Sequence, residues 1–219
     1  MWEVAELERI PTKKEMSEAQ NQRYGIAVGE TFAKSCIAVC GLGGLGSNIA
    51  VSLARAGVGS LILIDFDRVD VSNLHRQQYK ASQIGLRKTE ALASNLLEIA
   101  PYAAITTHDV RITKTNLPLL LGSADIICEA FDKAEEKAML VNGVLEHFPE
   151  KYIIAASGMA GFGPANLIQT RKITSHFYLC GDGISDAYKD TGLIASRVML
   201  CAAHQAHMAL SLLAGWETL

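Results

Sequence analysis

The fold is decided by residues 36–47, which have the sequence CIAVCGLGGLGS. The mostly apolar run from Cys36 to Cys40 predicts a buried strand. The glycines that follow predict a tight turn, and apolar residues at helical spacing from Ser47 onward predict a helix. Strand, glycine turn and helix in this order satisfy the G-x-G-x-x-G pattern in the context that it requires. Such a turn brings backbone N–H groups and the positive end of a helix dipole to a phosphate.

Strands and helices continue to alternate on the C-terminal side of this segment. Continuous apolar runs predict buried strands at 61–64, 104–107, 125–129 and 152–156. Helical periodicity predicts helices at 88–100 and 134–147. We therefore predict an α/β fold with a doubly wound, mostly parallel, Rossmann-like sheet. A glycine-rich C-terminal part and a closing helix complete the predicted domain.

Domain boundaries follow from the change of composition along the chain. Residues 1–34 are polar and compatible with helix, and we predict that they form an N-terminal helical arm. Residues 35–219 are predicted to form a single domain. Its nucleotide-binding half spans about 35–157, and a half for partner binding and dimerisation spans about 158–219.

Three segments lack a simple alternating pattern. The polar segment 67–85 predicts a long loop with at most one helical turn. Glycines interrupt the chain after residue 157, where we expect a possible strand at 166–171 and a mobile loop from Tyr178 to Gly192. Apolar residues at helical spacing then predict one long closing helix over 193–213.

Composition limits the possible functions. The chain has 219 residues, of which 49% are hydrophobic, and its formal net charge is −3. No segment approaches the ~18 apolar residues of a membrane span, and no export signal is seen, so a cytoplasmic protein is expected. Five cysteines without a C-x-x-C pair favour reduced thiols over disulfides or structural zinc. The lack of a basic block argues against broad nucleic-acid binding.

Charged residues beyond the glycine turn indicate a nucleotide. Asp65 ends the second predicted strand, about 20 residues after the turn, where a carboxylate accepts hydrogen bonds from a ribose. A triphosphate carries more charge than the pyrophosphate of NAD and requires Arg, Lys and a metal ion. Arg76 and Lys88 meet that requirement. Asp132 follows the strand at 125–129 and could hold Mg²⁺, or it could cap a helix.

Five phrases occur together in an order typical of one enzyme family. They are GLGGLGS at 41–47, DFD at 65–67, SNLHRQ at 72–77, GLRK at 85–88 and EAFD at 129–132. The chain therefore resembles the ThiF-type sulfur-carrier adenylyltransferases of thiamine and molybdopterin biosynthesis, which are bacterial relatives of the ubiquitin-activating enzymes. The resemblance is dense over 36–142 and looser over 152–205. It is greatest to a short, zinc-free branch assigned to thiamine biosynthesis.

The resemblance implies a set of site residues. The ATP-binding residues would be Gly41, Gly43, Gly44, Gly46, Asp65, Asp67, Asn73, Arg76, Gln77 and Lys88. Within this set, the glycines would lie behind the phosphates and Asp65 would hold the ribose. Arg76 and Lys88, together with Asn73, would contact the triphosphate and stabilise charge developing at the α-phosphorus. Asp132 would bind Mg²⁺ and act with Arg76 and Lys88 in catalysis.

The implied reaction is adenylation of a small protein partner. The C-terminal carboxylate of a ubiquitin-like sulfur carrier that ends in Gly-Gly would attack the α-phosphate of ATP, and pyrophosphate would leave with Mg²⁺. The resemblance also implies a homodimer. Zinc is not expected, because the C-x-x-C pairs of longer relatives are absent.

Some positions depart from the family pattern. Relatives have Asn after the metal-binding Asp and Arg a few residues later, where this chain has Lys133 and Lys137. Many relatives have an N-terminal arginine that reaches into the site of the neighbouring subunit, but this chain has Ile26 at that position. Whether Arg23 takes that role is open.

Cys180 is the thiol predicted to be best placed for a covalent or sulfur-transfer step. It lies in the expected mobile loop, where a thiol would be accessible and able to ionise. The alternative is that Cys180 packs against the base of the loop. The other cysteines fall in predicted strands or helices and are expected in the core; they are Cys36, Cys40, Cys128 and Cys201.

Other functions remain open on the sequence. The same scaffold could activate another substrate, such as a modified tRNA base, because a fold does not determine a substrate. An NAD-dependent oxidoreductase is compatible with Asp65 but leaves Arg76 and Lys88 without a role. A non-catalytic nucleotide sensor is a further alternative.

Overall fold

One sheet forms the centre of the molecule. The computed structural model describes residues 9–187, 189 and 192–217. The strands are β1 (Cys36–Cys40), β2 (Ser60–Asp65), β3 (Ala104–Asp109), β4 (Ile126–Glu129), β5 (Tyr152–Ala156), β6 (Gln169–Lys172) and β7 (Phe177–Gly181). Their order is β3-β2-β1-β4-β5-β7-β6, and all pairs are parallel except β6 with β7. The predicted doubly wound, mostly parallel α/β sheet is confirmed.

Helices pack on both faces of this sheet. They are α1 (Lys13–Tyr24), α2 (Ile26–Lys34), α3 (Gly44–Ala56), α4 (Lys88–Ile99), α5 (Leu117–Leu121), α6 (Ala134–His147) and α7 (Ala195–Leu213). One core cluster joins α3, α4 and α7 to one face, and a second joins α5 and α6 to the other. Ile37 belongs to the first cluster and Ala38 to the second, because successive side chains of a strand point to opposite faces.

The order of the strands determines where a ligand can bind. From β1 the chain builds β2 and β3 on one side and then crosses to β4 and β5 on the other. Ligands of such sheets bind at the carboxyl ends of the strands where the order reverses. The glycine turn follows β1, and Asp132 follows β4. The topology therefore brings these two motifs to one edge.

Helix α3 begins earlier than its apolar periodicity predicts. Its first residue is Gly44, and Gly43 is the N-cap. The Ser47 N–H and hydroxyl both donate to the Gly43 carbonyl, at 3.0 and 2.7 Å, so the glycine turn is already part of the first helical turn. The helix ends at Gly57, whose left-handed conformation (φ 89°) turns the chain toward β2.

Helix α7 closes the sheet from one face, as predicted, and begins at Ala195. Its buried Gln205 donates through Nε2 to the carbonyls of Glu129 at 2.8 Å and Ile154 at 3.1 Å. This one side chain therefore connects β4 and β5 to the helix.

Two predictions between the motifs need correction. The segment 67–85 contains two 3-10 turns, Val71–Asn73 and Ala81–Gln83, instead of at most one. Helix α5 was not predicted, because its five residues are too few to show a helical period.

The prediction of a loop from Tyr178 to Gly192 is wrong in its first part. Phe177–Gly181 forms β7, which lies between β5 and β6 in the sheet. The apolar residues of β7 stand next to glycines, which are typical of loops and conceal the strand in the sequence. Residues 188, 190 and 191 of this segment lie outside the described residues.

The N-terminal arm contains α1 and α2, while residues 1–8 lie outside the described part of the chain. The Tyr24 hydroxyl donates to the Ala56 carbonyl at 2.7 Å, which attaches the arm to the end of α3. The division into an arm and one domain with two halves stays a prediction. No helix in the described residues is long and apolar enough to cross a bilayer.

Candidate nucleotide site

At three glycines of the turn, packing leaves no room for a side chain. Gly41 has φ 90°, and a Cβ there would lie 2.8 Å from the carbonyl oxygen of Ala130. A Cβ on Gly46 would lie 1.8 Å from the carbonyl oxygen of Gly41. A Cβ on Gly44 would lie 2.9 Å from Cγ1 of Val198, in the first turn of α7. The fold itself therefore restricts these positions.

Gly43 differs, because the position of its missing side chain is open. A Cβ there would meet Nε2 of Gln77 at 3.8 Å, and its backbone has φ −75°. Gly43 caps α3, where the unpaired N–H groups of the first helical turn collect. This open space would let an anion approach the helix N-terminus closely.

Asp65 connects the end of β2 to the glycine turn. Its Oδ2 accepts from the Leu42 N–H at 2.6 Å, and its Oδ1 accepts from the Asp67 N–H at 2.8 Å. The Tyr79 hydroxyl donates to the Leu42 carbonyl at 2.7 Å, a contact that the sequence analysis missed. Each Asp65 oxygen keeps a free lone pair, so the carboxylate can also accept a ribose hydroxyl.

Arg76 lies against the glycine turn, with Cδ 3.5 Å from the Cβ position of Gly44. Asn48 of α3 donates to its backbone carbonyl at 3.1 Å. Burial lowers the pKa of the Arg76 guanidinium, and the nearby Asp132 carboxylate opposes that shift. The Arg76 Nε is buried and has no hydrogen-bond partner among the described residues. The Nη1 atom of Arg76 donates to the Ser72 carbonyl at 3.1 Å, so the guanidinium is partly engaged within its own loop.

Asn73 and Gln77 flank Arg76 on the same loop. Asn73 Oδ1 accepts from the Asp70 N–H at 3.1 Å, which closes the 3-10 turn. Gln77 is buried, and within the described chain its Oε1 has no partner. Gln77 therefore keeps a free polar atom beside the glycine turn, whereas Asn73 is used within its loop.

Lys88, the first residue of α4, already has a protein partner. Its Nζ donates to Asp67 Oδ2 at 2.8 Å; the Lys88 side chain is 7% exposed and that of Asp67 is 52% exposed. The predicted contact of Lys88 with a triphosphate therefore requires Nζ to share or leave Asp67.

Asp132 is exposed in the turn between β4 and α6. Its carboxylate makes no hydrogen bond with another described residue. The alternative role as a helix cap is not seen, since the N-cap of α6 is Lys133. The described residues hold no group of three or more His, Cys, Asp or Glu suited to a metal. One carboxylate fits Mg²⁺, which takes further ligands from phosphate and water; the expected lack of zinc stays a prediction.

A buried ion pair lies behind Asp132. The carboxylate of Glu129 at the end of β4 is fully buried, and Lys137 Nζ lies 3.1 and 3.0 Å from its two oxygens. Burial raises the pKa of Glu129, and Lys137 opposes that shift. In the sequence, Lys137 stands out only as a departure from the family pattern. The available signal for this pair was Glu129, an acidic residue that ends an apolar strand.

Cys180 lies in β7 and not in a loop, so the prediction of an accessible thiol is wrong. It is 0% exposed, and burial raises the pKa of its thiol to about 11. A catalytic role for Cys180 therefore loses the accessibility and ionisation on which it depended. Cys40, Cys128 and Cys201 are buried as expected, and Cys36 is partly exposed.

A second buried ion pair, also missed in the sequence, lies in the C-terminal half. Arg197 Nη2 donates to Asp182 Oδ2 at 2.5 Å, and the side chains are 6% and 4% exposed. Arg197 Nη1 donates to the carbonyls of Gly163 and Pro164. Burial by itself raises the pKa of Asp182, but hydrogen bonds from the next turn and from Arg197 outweigh it and lower the pKa to about 2.

Known proteins share parts of this sequence. An adenylyltransferase and sulfurtransferase of Caenorhabditis briggsae is 32% identical over 122 residues, which are 55% of this chain and 30% of that protein. Ubiquitin-like modifier-activating enzyme 5 of Caenorhabditis elegans is 41% identical over 93 residues, which are 42% of this chain and 22% of that protein. The tRNA threonylcarbamoyladenosine dehydratase of Escherichia coli strain K12 is 35% identical over 120 residues, which are 54% of this chain and 45% of that protein. The chain thus spans less than half the length of these curated relatives.

Solved structures share the fold over most of the chain. The E. coli tRNA N6-threonylcarbamoyladenosine dehydratase in complex with ATP superposes with a TM-score of 0.84 at 22% identity, covering 94% of this chain and 98% of that one. E. coli MccB with ATP superposes with a TM-score of 0.69 at 22% identity, covering 95% and 67%. At these identities the likeness supports the Rossmann-like fold alone. The sequence matches the ThiF family over residues 18–219, so this chain belongs to that family.

Proposed function

We propose that this chain binds ATP with Mg²⁺ and transfers the adenylyl group to a carboxylate oxygen, with release of pyrophosphate. One observation carries the proposal: three features meet at the carboxyl ends of β1, β2 and β4. They are the open N-terminus of α3 at Gly43, the Asp65 carboxylate, and Arg76 close to the unbonded Asp132. The names of the adenylyltransferase relatives support the same chemistry.

Each residue has a role that its surroundings permit. N–H groups at Gly43 would bind phosphate oxygens, and Asp65 would orient the ribose while it holds the turn. Arg76 would stabilise negative charge at the α-phosphorus through its guanidinium. Asp132 would hold Mg²⁺, which when bound neutralises charge on the departing pyrophosphate. No covalent protein intermediate is required, which is consistent with the burial of Cys180.

Calorimetric titration of ATP and NAD in the presence of Mg²⁺ tests the nucleotide. We expect ATP to bind more tightly, because NAD leaves Asp132 without a role. Gly43→Ala should weaken ATP binding about tenfold or more while unfolding free energy changes by less than about 1 kcal/mol. The control is Gly46→Ala, which should destabilise the fold because its Cβ would collide with Gly41. Equal or tighter binding of NAD would contradict the proposal.

Asp132→Asn tests the metal. We expect Mg²⁺ to lose most of its effect on ATP binding, while ATP binding without Mg²⁺ changes little. Pyrophosphate exchange should fall by several orders of magnitude, since a catalytic metal contributes several kcal/mol. An unchanged response to Mg²⁺ would place the metal elsewhere.

The first proposed acceptor is the tail of a ubiquitin-like sulfur carrier that ends in Gly-Gly, as in the thiamine branch of the family. The five sequence phrases and the relative named as a ubiquitin-like modifier-activating enzyme support it. In-line attack needs the carboxylate within ~3.5 Å of phosphorus, which a slender tail allows. The relatives described above include no thiamine enzyme, so the pathway rests on the sequence resemblance.

The second proposed acceptor is a modified tRNA base. The 35% identity over 120 residues to the E. coli tRNA dehydratase favours it over a thiamine carrier. The net charge of −3 favours the protein acceptor instead.

Pyrophosphate exchange measured with each acceptor separates these proposals. A carrier that ends in Gly-Gly should support exchange, and the same carrier without its last two residues should not. If total tRNA supports exchange and neither the intact nor the truncated carrier does, the substrate is a tRNA. Exchange with the truncated carrier would show that the tail carboxylate is not the nucleophile.

We also propose that the chain forms a homodimer through the outer face of α7. Met199, Ala203 and His207 are exposed on this helix, and its one charged residue, Arg197, is buried. An exposed helical face without Asp, Glu, Lys or Arg is typical of an interface. Light scattering at micromolar concentration tests this, and an active monomer would contradict it. A cytoplasmic location stays a prediction.

A further inference from the structure

Glu129 depends on Lys137 for its charge balance. Its carboxylate is 0% exposed, and a buried carboxylate without a cation is strongly unfavourable. Within the described residues Lys137 is its one cationic partner, with Nζ in contact with both oxygens. The Lys137 side chain is 22% exposed, so most of it is withdrawn from solvent. Lys137 is therefore already engaged below the surface of the site.

The Glu129 carboxylate holds the turn that carries Asp132. Its Oε1 accepts from the Phe131 N–H at 2.6 Å, and its Oε2 lies 3.5 Å from the Ala156 N–H of β5. The Ala130 N–H, in the same turn, donates to the Cys40 carbonyl at 2.8 Å. The position of the turn is thus fixed by one side chain and by the ends of the neighbouring strands.

The same turn touches the glycine turn. The Cβ position of Gly41 lies 2.8 Å from the Ala130 carbonyl oxygen and 3.0 Å from Phe131 Cδ1. A shift of Phe131 would therefore disturb the phosphate-binding turn as well as Asp132. The two motifs at the site are coupled through the residue that Glu129 holds.

We propose that Lys137 is a positioning residue for Asp132. By neutralising Glu129, it lets the carboxylate hold the Phe131 N–H, and this fixes the turn that carries Asp132. The inference deepens the proposed function and rests on the binding of ATP with Mg²⁺. It also assigns a role to the position where relatives have an arginine. Lys137 contacts Glu129 and affects the site only through that carboxylate.

Four variants test this role, with ATP binding measured by calorimetry with and without Mg²⁺. They are Lys137→Met, Glu129→Gln, the double variant of the two, and Lys133→Met as the control. Lys133→Met also removes one positive charge, but Lys133 is 57% exposed and pairs only loosely with Glu136 at 3.7 Å. Circular dichroism establishes that each variant is folded.

We expect Lys137→Met to reduce the effect of Mg²⁺ on ATP binding about tenfold or more, the usual result when a group supporting a metal ligand is lost. Lys133→Met should stay within about twofold of wild type. The double variant should recover most of the effect, because the neutral amide oxygen that Glu129→Gln introduces still accepts from the Phe131 N–H and no buried charge is left alone. If Lys137→Met does not fold, the recovery of fold and Mg²⁺ response in the double variant supports the proposal.

Three outcomes would overturn the inference. A wild-type response to Mg²⁺ in Lys137→Met would show that the turn needs no lysine. A double variant that folds but responds as weakly as Lys137→Met would make Lys137 a direct ligand of the nucleotide. If wild type itself shows no effect of Mg²⁺ on ATP binding, the proposed function fails and the inference fails with it.

Discussion

The two buried ion pairs at the carboxyl edge of the sheet satisfy their carboxylates differently. Asp182 accepts four hydrogen bonds of 3.0 Å or less, and its pKa is lowered to about 2. Glu129 has contacts of 2.6, 3.0, 3.1 and 3.5 Å, and burial raises its pKa. Burial therefore outweighs the donors at Glu129, whereas the hydrogen bonds together outweigh burial at Asp182.

The pairs also differ in what they connect. Glu129 and Lys137 belong to one strand–helix unit, and their contact fixes the turn between β4 and α6. Asp182 and Arg197 join the segment after β7 to α7, and Arg197 also reaches the carbonyls of Gly163 and Pro164. The first pair supports a local motif, and the second holds together segments that are distant in sequence.

Breaking the pair of Asp182 and Arg197 should cause the largest loss of unfolding free energy. Arg197→Met leaves the Asp182 carboxylate buried without its cation, and we expect a loss of about 3–5 kcal/mol in unfolding free energy. Urea denaturation followed by circular dichroism measures it. The control, Arg171→Met, removes an exposed arginine from β6 and should cost less than about 1 kcal/mol. Equal losses in the two variants would show that the buried pair has no special role.

The pH dependence should separate the two pairs by sign. The pKa of Asp182 is lowered to about 2, so its contribution is complete above the unfolded value of about 3.9 and is lost as pH falls toward 2. The pKa of Glu129 is raised, so its contribution is complete below the unfolded value and is lost as pH rises.

Urea unfolding from about pH 7 to about pH 3 measures this difference, because the Glu129 contribution changes above its unfolded pKa and the Asp182 contribution changes below its own. The stability advantage of wild type over Asp182→Asn should shrink toward pH 3 by on the order of 1–2 kcal/mol. Its difference from Glu129→Gln should change in the opposite direction. Parallel pH profiles for the two variants would contradict the distinction between the pairs.

An exposed pair with similar geometry should give the smallest effect. Lys80 Nζ lies 2.8 and 2.7 Å from the two oxygens of Glu98, but the side chains are 52% and 63% exposed. Because solvent screens this pair, Lys80→Met should change unfolding free energy by less than about 0.5 kcal/mol in the urea assay. A larger loss would mean that bidentate geometry matters more than burial.

Local patterns were sufficient to predict the alternating core. The apolar runs and helical periods between Cys36 and Ala156 predicted β1 to β5 and the long helices among them, because these elements depend on near neighbours in sequence. The glycine turn and Asp65 were likewise predicted and lie together at the end of β1 and β2. The family phrases also identified Arg76 and Asp132, which the structure brings close to one another.

The rest depends on tertiary contacts. β7 was missed because its apolar residues stand next to glycines, which are typical of loops, and the error about Cys180 followed from that. The partner of Arg197 could not be predicted by spacing, although a single charge in the apolar helix α7 was a usable signal. Similarly, no local pattern predicts that Lys88 forms an ion pair with Asp67.

The position of Gln205 has a consequence for how the chain matures during translation. Its side-chain amide donates hydrogen bonds to the carbonyl of Ile154, 51 residues earlier in the sequence, and to that of Glu129. At ~5–20 residues per second, the ribosome adds those residues over roughly 3–10 s. In that interval the carbonyls of Glu129 and Ile154 lack this donor, and the glycine turn lacks its contact with Val198. The nascent chain therefore completes its nucleotide site only after α7 has been synthesised and has docked.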